Sequence, residues 1–141
     1  VTTGKTVRLF YAHAKGTPDK TIDERAHALR QLAAASFPGS TVEVVTGRDD
    51  YNTRAKAEGG WAGWTYSVGC GCDHEGQPRF HAVVTDGLAV GKATADIMRF
   101  ARSSGKKVVY WDGADQFADV SGVEDKGQDR WRDGWALVFA S

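Results

Sequence analysis

The chain has 141 residues, with 18 Lys+Arg against 18 Asp+Glu and therefore a formal net charge of zero at neutral pH. A single α/β domain over residues 1–141, long enough to bury its own core, is expected from that length. Charge balance argues against long nucleic acid as a partner, an aromatic content of 11% argues against disorder, and no window approaches the ~18 apolar residues that span a membrane.

Val7 to Tyr11 is a short run rich in β-formers and predicts a first strand. Beyond a loop over 15–20, Thr21 and Glu24 have the spacing of a capping box. Ile22, Ala26, Leu29, Ala33 and Phe37 then fall on one face of a helix that Pro38 and Gly39 end. Thr41 to Val45 predicts the second strand. Asp49 to Glu58 is polar and predicts a helix stopped by Gly59 and Gly60, while Trp61 to Tyr66 begins another helical turn whose extent Gly69 and Gly71 leave open. Phe80 to Thr85 predicts the third strand. The helix over 91–104, with Ala93, Ile97, Phe100 and Ala101 inward, stops at Gly105. Lys107 to Trp111 predicts the fourth strand, and 117–123 and 131–139 two further short ones.

This alternation predicts an α/β fold: a small, doubly wound, mainly parallel sheet of flavodoxin-like order 2-1-3-4-5, with short C-terminal strands. In such sheets ligands bind beyond the carboxyl ends of the strands, where the strand order switches. The expected residues there are Tyr11 and His13 after the first strand, Arg48 to Tyr51 after the second, Thr85 to Thr94 after the third, and Trp111 and Asp112 after the fourth. Aromatic faces, carboxylates and glycines together suit a nucleoside or nucleotide. Gly87 and Gly91 would expose backbone N–H groups at a helix N-terminus, with Lys92 and Thr94 completing a phosphate site. The spacing is neither a Walker A loop nor a dinucleotide fingerprint.

A third strand, a glycine-bearing turn and Gly91-Lys-Ala-Thr94 opening a helix, followed by Gly105-Lys-Lys-Val-Val-Tyr110, resemble the nucleoside 2-deoxyribosyltransferase superfamily and its flavodoxin-like nucleotide-binding relatives. The resemblance covers roughly residues 7–113 and is strongest over 81–113. It implies attack of a helix carboxylate on the sugar C1′, with a second acid at the base and a tyrosine positioning the nucleophile. Carried across, Asp96 is the nucleophile, Asp86 the supporting acid and Tyr11 the orienting group. Asp96 is named as the only carboxylate of that helix; in the preferred alignment the family's Glu column falls on Ile97, which implies binding alone.

Cys70 and Cys72, one residue apart, have poor geometry for an ordinary disulfide, and with His74 they match a four-ligand zinc site weakly. They read as incidental thiols in a glycine-flexed loop, and neither metal nor cofactor is expected. So few cysteines, with no secretion signal in Val1–Lys5, suggest a cytoplasmic setting. Trp61 and Trp64 share a helical face, either as sheet packing or as a stacking wall on a lid. Trp131 and Trp135 share a strand face that covers the sheet or docks a second subunit, making a homo-oligomer. Three functions follow: N-glycosidic cleavage or base exchange on a nucleoside or nucleotide, a non-catalytic nucleotide sensor or sequestering module, and a structural or assembly protein.

Overall fold

The computed structural model describes residues 6–13, 16–36, 38–55, 57, 59–72, 76, 78–86, 92–111 and 117–119. Its elements, in chain order, are β1 (Thr6–Ala12), α1 (Asp19–Ser36), β2 (Thr41–Thr46), α2 (Gly47–Arg54), α3 (Gly60–Cys70), β3 (Ala82–Asp86), α4 (Lys92–Ser103), β4 (Lys107–Trp111) and β5 (Phe117–Asp119). Four parallel strands lie in the order β2-β1-β3-β4, as expected, and β5 adds an antiparallel edge beside β4. Leu9 stands opposite Val44 on one side and Ala82 on the other, which fixes β1 at the centre.

Period-two alternation sorts the strand side chains into two cores. Leu9, Tyr11, Val44, Val84 and Trp111 pack with Ala26, Leu29 and Ala33 of α1. Phe10, Ala12, Val83 and Val108 pack with Trp64 and Val68 of α3 and Ile97, Met98 and Ala101 of α4. Helices thus cover both faces, and β1 reads as a nearly continuous buried run, as a central parallel strand should. Among the described residues no helix is long and apolar enough to cross a membrane.

The largest departures from the sequence expectation are in three helices. Helix α1 begins at Asp19, so Thr21 lies inside the first turn and caps nothing. The Ile22 N–H donates to the Pro18 carbonyl (3.0 Å), and Asp19 supplies the first-turn negative charge that the helix dipole favours. Helix α2 runs over Gly47–Arg54, earlier and shorter than 49–58, because the Thr46 side chain caps it by accepting from the Asp49 N–H at 3.2 Å. Helix α3 continues through Gly69 to Cys70. The expected strand over 131–139 lies outside the described residues, as do Trp131 and Trp135.

Gly69 stays helical because its missing side chain is what lets α4 approach. A Cβ there would overlap the Phe100 Cβ and sit 2.9 Å from the Ile97 carbonyl oxygen, groups that only a shift of the whole helix could move. Gly69→Ala is accordingly expected to destabilise the fold by about 2–3 kcal/mol, read from the urea midpoint. An unchanged midpoint would mean that the two helices do not pack this closely.

Candidate functional site

A cavity of about 520 Å³ opens at the carboxyl ends of β1 and β2. It lies where the order reverses, with β2 on one side of β1 and β3 on the other, the position at which open α/β sheets bind ligands. Ala12 and His13 form its floor, Gly47, Arg48 and Tyr51 approach from α2, and Ala93, Thr94 and Ile97 line it from the first turns of α4. Its volume falls in the range that holds a small organic ligand.

One wall is aromatic. The Tyr51 ring meets Trp61 at 5.0 Å and Trp64 at 5.2 Å, and the two indoles meet at 5.6 Å. Gly59 and Gly60 make this arrangement: both have positive φ, 87° and 82°, a conformation open to glycine, and they turn the chain so that α3 folds back on α2. Trp64 is buried, whereas Trp61 is 46% exposed and offers a free aromatic surface.

Behind this wall sits a buried ionic network. Asp50 and Arg79, 5% and 7% exposed, pair through Arg79 Nη2 at 2.8 and 3.0 Å from the two carboxylate oxygens. The Trp64 Nε1–H donates to Asp50 Oδ2 at 2.7 Å, and Arg79 Nη1 donates to the Ser67 hydroxyl. A carboxylate on α2 and a guanidinium just before β3 therefore fix the orientation of one indole of the wall.

The mouth is charged. Arg48 pairs with Asp23 at 2.8 Å, Asp49 at 2.9 Å and Asp19 at 3.2 Å, and its backbone N–H donates to His13 Nε2 at 2.9 Å. Donating to the Asp49, Asp23 and Asp19 carboxylates pushes the guanidinium's pKa up. In return, the hydrogen bond from Arg48 holds the Asp49 carboxyl below the usual carboxylate range. A depressed folded pKa contributes stability that is complete above the ordinary value near about 4 and is lost as pH falls through the folded value. The Asp49 side chain is 60% exposed, so solvent keeps the contribution to less than about 1 kcal/mol. The melting-temperature gap between wild type and Asp49→Asn is expected to be constant above that pH and to close below it. A gap that widened on acidification would contradict this.

Of the residues expected at the site, Arg48, Trp61, Trp64 and Thr94 line the cavity together. Tyr11 and Trp111 do not: both are fully buried, 6.1 Å apart in the core on the α1 face, because alternation along their strands turns them away. Asp96 is also off the cavity wall and pairs with Arg99 at 3.0 Å, one turn along the helix. Ile97 takes the inward position, 2% exposed, since one residue rotates a helical side chain by about 100°. Asp86 ends β3 and Lys92 begins α4, while Gly87 and Gly91 lie outside the described residues. Sequence reasoning missed Asp19, Asp23 and Arg79, whose roles depend on partners 25 or more residues away. Among the described residues no group of three or more His, Cys, Asp or Glu is placed to hold a metal. Comparison of the chain with protein-family models, curated proteins and solved structures returned no match.

Proposed function

We propose that this protein binds a nucleoside or nucleotide in the cavity at the carboxyl ends of β1 and β2 and holds it without breaking the glycosidic bond, as a sensor or sequestering module. The observation that carries this reading is the identity of the α4 residue facing the cavity: Ile97, with Asp96 turned to Arg99. Displacement at an anomeric carbon needs a carboxylate within about 3–3.5 Å of that carbon. An isoleucine supplies packing and nothing else.

The rest of the wall supports the ligand class. Trp61 and Tyr51 offer faces on which a planar base stacks. Asp19 at the mouth is an acceptor for sugar hydroxyls, and the first turn of α4, with the buried Thr94, faces the same space. The glycine-opened helix and its position after β3 are also what the likeness to nucleoside 2-deoxyribosyltransferases rests on. Within that likeness, a chain with Ile97 facing the cavity would keep the family's ligand class and lack its nucleophile.

Thermal-shift measurements over a panel of nucleosides and 5′-monophosphates, with chromatography of the same samples, test the proposal. A ligand at about 100 times its Kd adds about 2.7 kcal/mol to the folded state, a readily measured rise in melting temperature. The expected result is such a rise for one ligand class with the ligand recovered intact. Release of free base would restore the glycosidase reading, and no shift across the panel would remove nucleosides and nucleotides altogether.

A further inference from the structure

Cys70 and Cys72 lie at the C-terminal end of α3, apart from the cavity-lining residues. Gly71 between them caps the helix, its N–H donating to the Ser67 carbonyl at 2.9 Å. A Cβ at Gly71 would overlap that same carbonyl, so a side chain between the two cysteines would have to displace the helix end. On the other side, the Gly71 carbonyl accepts from the Arg79 N–H at 3.2 Å and from Lys106 Nζ at 3.5 Å. Cys72 itself is bridged to Pro78. The pair therefore sits on a frame fixed from both flanks.

Both thiols are free; Cys72 is exposed and Cys70 partly buried. With φ −71° and ψ 155°, Gly71 has the polyproline-like conformation, whose rise of ~3.1 Å per residue sets the flanking Cα atoms roughly 6 Å apart. That spacing lies inside the range of about 4.4–6.8 Å that disulfides span. The Cys70 thiol donates to the Tyr66 carbonyl at 3.3 Å. Nearby, Lys106 is half-buried: burial pushes its pKa down, while Cys70 and Cys72 both act to raise it. The thiolate is the nucleophile in exchange, and the exposed Cys72 is the thiol that an incoming disulfide can reach. The short ring such a bridge closes is strained, and strained, exposed disulfides are the labile ones.

We propose that Cys70 and Cys72 form a redox-active dithiol that exchanges with small-molecule disulfides of the glutathione type. The Cys72 thiolate attacks one sulfur of the incoming disulfide; that S–S bond breaks, a new one forms at Cys72, and the first glutathione leaves as thiolate and takes up a proton. Cys70 then loses its proton to solvent and attacks the Cys72 sulfur, expelling the second glutathione and closing the Cys70–Cys72 bond. The protein loses two hydrogens and is oxidised, and one disulfide is reduced to two thiols.

Incubation of the full chain with oxidised glutathione, alkylation and mass spectrometry test this. Wild type is expected to reach the intrachain disulfide without an accumulating adduct, and Cys70→Ser to stop at a stable glutathione adduct on Cys72. Wild type that retains two alkylatable thiols or carries glutathione on both cysteines would overturn the proposal.

Discussion

Asp50→Ala is expected to destabilise the protein by about 3–5 kcal/mol, the cost of removing one partner from a buried ion pair. Asp50 accepts two hydrogen bonds from Arg79 and one from the Trp64 indole, all at 3.0 Å or less. Without that carboxylate, a guanidinium that is 7% exposed keeps its charge in a poorly solvated place, with Ser67 and the Phe80 ring still beside it. Urea denaturation measures the loss directly. A change below about 1 kcal/mol would mean that water reaches the pair and that it behaves as a surface salt bridge. The same substitution frees the Trp64 Nε1–H from its acceptor, so ligand affinity should fall beyond what lost stability explains, even at temperatures where the variant is fully folded.

Trp61→Ala is expected to do the opposite: to leave stability nearly unchanged and to remove most of the binding. Trp61 is 46% exposed and its burial is shared with Tyr51 and Trp64, so truncation opens no core cavity. Loss of one base-stacking face costs about 1–3 kcal/mol, or roughly 5- to 150-fold in Kd. Trp61→Phe keeps an aromatic face and should recover much of that loss. Should Trp61→Ala bind as tightly as wild type, the ligand does not stack on this wall.

Much of the architecture was legible because it rests on local pattern. The runs at 7–11, 41–45 and 107–111 are rich in apolar β-formers, the segments of α1 and α4 each show an apolar face, and right-handed crossovers then leave few strand orders open. Element ends were less legible where a single cap decided them: Thr46 starts α2 two residues early, and nothing around Thr21 shows that Pro18 already accepts the first helical hydrogen bond. Gly69 reads as a helix breaker until its neighbour is known, since only α4 makes a glycine necessary there.

The site divides along the same line. Arg48, Trp61, Trp64 and Thr94 follow strand ends or glycine turns, so topology alone brings them to the cavity. Tyr11 and Trp111 also stand at strand ends, but a strand end does not say which face a side chain takes, and both turn toward α1. Asp96 and Ile97 are separated by one residue, about 100° of helix, which is finer than a periodicity argument resolves when the helix start is uncertain by as much. The Asp50–Arg79 pair spans 29 residues, including all of α3, and has no signature short of the fold itself.

Calorimetric titration of the intact protein with the nucleoside or 5′-monophosphate that raises its melting temperature most, followed by chromatography of the cell contents, tests the central claim most directly. Saturable binding at one site per chain, weakened in Trp61→Ala, with the glycosidic bond intact after prolonged incubation, is the predicted result. Free base appearing in step with protein concentration, or binding that is indifferent to Trp61, would contradict it.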